Sequence, residues 1–242
     1  MTQIIKNNPS IDPAIIVALD YQEATQALNV VEKLDPTLCR LKVGKELFTA
    51  AGPQFIDVLH QHNFSVFLDL KFHDIPNTVA KACLAASNLG IWMLNVHASG
   101  GTEMMQAASE AVKSSATKPL LIAVTVLTSM NQASLANIGI QTPLADHVLN
   151  LARLTQTAGL AGVVCSAQEA PLLRTHLGSE FCLVTPGIRP KDASLNDQSR
   201  VVTPQEALHL GSNYLVIGRP ITQANNPQKM LEQIHAECVK PF

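Results

Sequence analysis

Eight short apolar runs, each leading into segments of helical periodicity, constrain this chain more than any other feature. The runs fall at residues 14–19 (AIIVAL), 38–43, 66–68 (VFL, continuing into Asp69, Leu70 and Lys71), 92–97, 120–127 (LLIAVTVL), 162–165, 181–184 and 214–217. Helical spacing is seen over 22–34, where Ala27, Val30, Val31 and Leu34 share a face, and over 45–51, 53–60, 76–89, 101–114, 143–158, 167–177 and 227–239. Strands that are apolar on both faces belong to parallel sheets covered by helices on each side. Eight such units with no second compositional regime predict an α/β fold, a closed (β/α)8 TIM barrel, with residues 1–242 as a single domain. With 242 residues, 47% of them hydrophobic, the chain has ample apolar surface for that core.

Charge excludes several functions. The net charge is −2, charged residues make up 15%, and no basic block occurs, which argues against a nucleic-acid or membrane surface. The five cysteines show no C-x-x-C spacing, and Cys39, Cys165 and Cys182 sit in apolar runs as small buried hydrophobes. Residues 1–10 (MTQIIKNNPS) lack the charged-then-apolar pattern of a signal peptide, so a cytoplasmic location is expected. No G-x-G-x-x-G, Walker sequence or Cys/His constellation is present, and His60 and His62, two apart on a helix, do not face one another. A reaction that needs a redox cofactor is therefore not expected.

In a parallel barrel the ligand site lies at the carboxyl ends of the strands. Those ends carry Asp20, Lys42, Asp69 with Lys71, His97, Thr128, Ser166, Arg189 and Arg219. The densest cluster is SVFLDLKFHDIPNTV at 65–79, where Asp69 and Lys71 are two apart and strand alternation puts them on one face. Asp74 follows just beyond, with Pro76 opening the next helix; the blander role for Asp74 is a helix cap. Charges facing a barrel interior are costly unless paired or functional. Lys42, Asp69 and Lys71 thus read as an alternating network that keeps Lys71 an ammonium and a proton donor. Gly218 and Arg219 close the eighth strand, where barrels commonly hold a phosphate. The polar stretch at 187–200 between strands seven and eight has the character of a lid, with Arg189 and Gln198 as its ligand-touching members.

Three segments carry a family resemblance: DLKFHDIPNT at 69–78, TPGIR at 185–189 and IGRPI at 217–221. Together they closely resemble bacterial orotidine 5′-phosphate decarboxylases. The resemblance implies conversion of orotidine 5′-monophosphate to UMP and CO2, the last step of de novo pyrimidine synthesis, with no metal and no organic cofactor. It implies Lys71 as the proton donor to C6 of the pyrimidine, Asp69 beside the departing CO2, and Lys42 and Asp74 completing the network. It further implies that the whole stretch Asp69, Leu70, Lys71, Phe72, His73, Asp74, Ile75, Pro76, Asn77 and Thr78 belongs to the substrate site. Asp74 and Thr78 would reach across a homodimer interface; Asp20 and Lys42 would hold the ribose, and Thr128 the pyrimidine. Arg189 and Gln198 would be lid residues, and Gly218 and Arg219 phosphate ligands. Two alternatives stay open: a Mg2+-dependent sugar-phosphate lyase of the same superfamily, and a non-catalytic nucleotide-binding barrel.

Overall fold

In a computed structural model, which describes residues 12–190 and 202–239, the eight apolar runs form eight parallel strands that close in sequence order into a barrel. The first half runs β1 (Ile15–Leu19), α1 (Ala24–Val31), β2 (Cys39–Gly44), α2 (Lys45–Ala51), α3 (Gln54–Gln61), β3 (Val66–Phe72), α4 (Pro76–Ser87) and β4 (Met93–His97). It continues with α5 (Gly101–Ser114), β5 (Leu120–Val124), α6 (Gln132–Asn137), α7 (Leu144–Thr157), β6 (Gly162–Val164) and α8 (Ala170–Leu177). The last part is β7 (Cys182–Thr185), α9 (Pro204–His209), β8 (Tyr214–Ile217), α10 (Arg219–Thr222) and α11 (Pro227–Cys238). Closure is made by β1 pairing with β8, Ile15 opposite Leu215.

Strand alternation builds two separate apolar layers. Ile15, Val17 and Leu19 of β1 face outward into the core shared with the helices. Ile16 faces inward and joins Phe67, Met93, Ile122 and Val184 in a plug inside the barrel. Below that plug, Arg40 lies 4.0 Å from the Trp92 ring centroid and 5.4 Å from that of Tyr214. Its guanidinium also pairs with Asp12 and donates to Pro13 O at 2.6 Å, so Asp12 and Pro13 are tied to the barrel floor. At Gly162 two strands come so close that a Cβ there would lie 2.0 Å from Cys182 O.

Besides the short helix α10, three elements depart from the sequence expectation. The apolar run 120–127 pairs as a strand only to Val124; Val126 and Leu127 leave the ladder and wall the cavity above it. A pocket wall needs apolar side chains as much as a strand does, so the run cannot mark its own end. The polar segment before α7 contains α6, capped by Asn131 Oδ1 accepting Ser134 N–H at 3.0 Å. The third is α9, announced by Thr203-Pro204-Gln205-Glu206, a capping box with proline in the first turn.

Candidate active site

The carboxyl ends of the strands surround a cavity of about 270 Å3. One sector of its wall, from β1 to β3, is ionic: Asp20, Lys42, Asp69 and Lys71. The sector from β5 and β6 is apolar, with Val124, Val126, Leu127 and Val164. Gly187, Arg189, Gly218 and Arg219, after β7 and β8, supply guanidinium groups and bare backbone. A ligand that is part flat apolar ring and part anion matches this division.

The ionic sector is a chain of contacts. Lys42 Nζ lies 3.2 Å from Asp20 Oδ1 and 3.4 Å from Asp69 Oδ2, and Lys71 Nζ lies 2.6 Å from Asp69 Oδ1. Asp69 and Lys42 are each only 8% exposed, so these charges persist by mutual compensation. Burial alone would depress the Lys42 ammonium, but Asp69 and Asp20 outweigh it and hold its pKa above the ordinary lysine value. Burial likewise pushes Asp69 up, yet Lys42, Lys71 and a hydrogen bond from Asn95 win and hold its carboxyl below the usual range.

The expected pairing of Asp69 with Lys71 occurs on the inner face, with Leu68, Leu70 and Phe72 on the outer one, but the ladder to β4 is interrupted beside it. Phe67 and Leu68 stand opposite Met93 and Leu94, and the next pair is Phe72 with Val96. Asp69, Leu70 and Lys71 therefore face the single residue Asn95, a bulge of two extra residues. Lys71 sits in it at φ 53°, the left-handed region that side chains larger than glycine avoid. Such a conformation costs about 1–3 kcal/mol and persists only where surrounding contacts enforce it.

Not every expected residue borders the cavity of one chain. Thr128, Arg189, Gly218 and Arg219 do, and Arg189 is 4% exposed. Leu70 and Phe72 instead pack against the outer, helix-facing core. His73, Asp74, Ile75, Asn77 and Thr78 lie exposed, with Pro76 half-buried at the start of α4. Asp74 does not cap α4; its Oδ1 accepts the Ile75 N–H at 2.7 Å, and Ile75 is the residue before the helix. Ser166 caps the short helical turn after β6. His97, its ring 5.7 Å from that of His73, is half-buried; burial, then the neighbouring His73, Lys45 and Lys71, lower its pKa. Gln198 lies outside the described residues.

Residues missed from sequence include the apolar wall and, above all, Asn95. Its side chain is fully buried in a strand otherwise apolar up to His97, and such an amide has to be hydrogen-bonded to something. That single polar letter in MLNVH was the available signal.

A family model described as "Orotidine 5′-phosphate decarboxylase / HUMPS family" matches residues 13–234. The chain belongs to this family. Within it, the chain is 60% identical over 229 residues to the orotidine 5′-phosphate decarboxylase of Vibrio cholerae serotype O1 (strain M66-2), covering 94% of this chain and 99% of that one. It is 62% identical over 223 residues to the enzyme of that name from Nitrosococcus oceani, covering 92% and 96%. Among solved structures, the orotidine 5′-phosphate decarboxylase of Lactobacillus acidophilus superposes with a TM-score of 0.85 at 40% identity, covering 95% of this chain and all of that one. Family membership thus rests on nearly the full barrel and not on the three short segments alone.

Proposed function

We propose that this chain decarboxylates orotidine 5′-monophosphate to UMP and CO2, with Lys71 delivering the proton to C6. Near-full-length similarity to proteins bearing that enzyme's name supports the reaction. The mechanistic reading is carried by one observation: an ammonium held 2.6 Å from a buried carboxylate at the edge of a cavity whose far wall is apolar.

When the C6–CO2 bond breaks, its electron pair stays on C6 in the ring plane, where ring resonance barely stabilises it. A fixed cation in a site screened from water can. Lys71 Nζ supplies that charge and then transfers a proton to C6; the C6–H bond replaces the C6–CO2 bond, and the neutral amine recovers its proton from solvent. Asp69 takes no proton in this scheme. It holds Lys71 in place, while Lys42 balances its other oxygen. Arg189, Gly218 and Arg219 would grip the phosphate, and Asp20 and Lys42 the ribose. Binding energy from the phosphate, remote from C6, is then available to organise the charged sector. Enzymes lower such barriers by about 8–23 kcal/mol, and so slow a reaction requires the upper part of that range.

We also take the working unit to be a homodimer in which Asp74 and Thr78 enter the partner's site. Supporting it, Asp74 and Thr78 are exposed and flank Ile75, a large apolar residue left 66% exposed. A cytoplasmic location fits five cysteines that are all free thiols. Among the described residues, no helix is long and apolar enough to cross a membrane.

The test is turnover of orotidine 5′-monophosphate, followed by pyrimidine absorbance, with and without EDTA. Rapid loss of the substrate signal, unchanged by chelator, is expected. Chelator-abolished turnover would point to a Mg2+-dependent lyase, and UMP binding without turnover to a non-catalytic barrel.

A further inference from the structure

We infer that Asn95 is a positioning residue for the decarboxylation, clamping the β3 bulge so that Lys71 is held at both its backbone and its ammonium. The inference rests on the proposed role of Lys71. Asn95 stands alone opposite three residues of β3, where an unbulged ladder would have one residue on each side. Its Oδ1 accepts the Lys71 backbone N–H at 2.8 Å, taking the place of a neighbouring strand's carbonyl. Its Nδ2 donates to Asp69 Oδ1 at 2.7 Å. The same Asp69 oxygen accepts Lys71 Nζ at 2.6 Å.

The orientation of the amide is forced. A backbone N–H can only donate and an ionised carboxylate can only accept, so one end of Asn95 must face each. The left-handed Lys71 backbone is thus held directly, and its Nζ is held through Asp69, by one side chain. Asn95 is 0% exposed and is not among the cavity-lining residues, so it acts on substrate only through these two neighbours. Neither aspartate nor leucine reproduces the clamp. Leucine has similar size but no polar atoms. Ionised aspartate keeps the acceptor, loses the donor and puts a second negative charge against Asp69. Protonated aspartate has the amide's shape and regains a donor.

The experiment measures kcat and KM for orotidine 5′-monophosphate in wild type, Asn95→Leu and Asn95→Asp. UMP-binding sites are counted by calorimetric titration so that kcat refers to folded, ligand-competent protein. Asn95→Leu is expected to lose at least about tenfold in kcat per site, with KM and UMP affinity within about threefold of wild type. For Asn95→Asp, kcat relative to wild type should climb at least about fivefold between pH 8 and pH 5.5 as the introduced carboxyl takes up its proton. A packing role would reduce the number of binding sites but leave kcat per site and its pH profile unchanged. The inference is overturned if Asn95→Leu keeps kcat per site within twofold of wild type, or if the Asn95→Asp ratio is flat with pH. Should Asn95→Leu give no folded protein, the Asn95→Asp profile decides alone. Wild type that fails to turn over would sink the decarboxylase reading itself, a different outcome from active wild type with unaffected variants.

Discussion

Asp69 has one oxygen on Lys71 and Asn95 and the other facing Lys42, so its charge is worth more folded than unfolded. Because its folded pKa is lowered, the stability it contributes is present above the ordinary carboxylate pKa of about 4 and is lost as pH falls through the lower folded value. Asp69→Asn would leave two ammonium groups without their shared counter-charge, a change that destabilises buried sites. We expect Asp69→Asn to melt below wild type at pH 7 and the gap to narrow steadily below pH 4, as read by melting temperature across that range. A gap independent of pH would show that the carboxylate is not held charged by its neighbours. Lys42 completes the picture from the other side: its raised pKa keeps it an ammonium throughout, so the narrowing belongs to Asp69.

At the scale of elements, the β3–α4 junction does two jobs. The end of β3 turns Asp69 and Lys71 inward, while residues 73–78 leave the barrel and run exposed into α4. If that exposed stretch serves a neighbouring site, mixing inactive Lys71→Ala and Asp74→Ala subunits should restore activity, since one of the two sites in a mixed dimer then carries neither defect. Subunit exchange confirmed by mass with no recovered turnover would argue that each chain completes its own site.

The same junction shows what sequence discloses. The eight strands and the ionic residues at their ends were legible because apolar runs and misplaced charges are local signals. The bulge was not, because it is a relation between β3 and β4; the letters of β3 space Asp69 and Lys71 for one face but do not show that Asn95 alone stands opposite them. Asn95 was hidden for the same reason, its meaning lying in its partners. The early end of β5 and the wall role of Val126 and Leu127 were masked because burial in a strand and burial against a ligand select the same residues. By contrast, α9 was written plainly in its capping box and could have been read.

The whole molecule separates stability from chemistry along the barrel axis. Its floor is held by Arg40 against Trp92 and Tyr214, whose rings meet edge to face at 5.0 Å, with Asp12 accepting from the Tyr214 hydroxyl at 2.8 Å. Its other end carries the charged site. Arg40→Met should therefore lower stability by about 1–3 kcal/mol, from the lost cation–π and ion-pair contacts, while kcat stays within twofold. Denaturant unfolding alongside turnover checks this; a matching loss of kcat would mean that the two ends are coupled. The central claim is that a lysine ammonium fixed by Asp69 performs the proton transfer. Its most direct test is the rate of orotidine 5′-monophosphate loss in wild type and in Lys71→Ala, each at saturating substrate and with UMP affinity measured in parallel. The account predicts a fall of at least about 10^4-fold in kcat with UMP still bound; a variant that decarboxylates at the wild-type rate would contradict it.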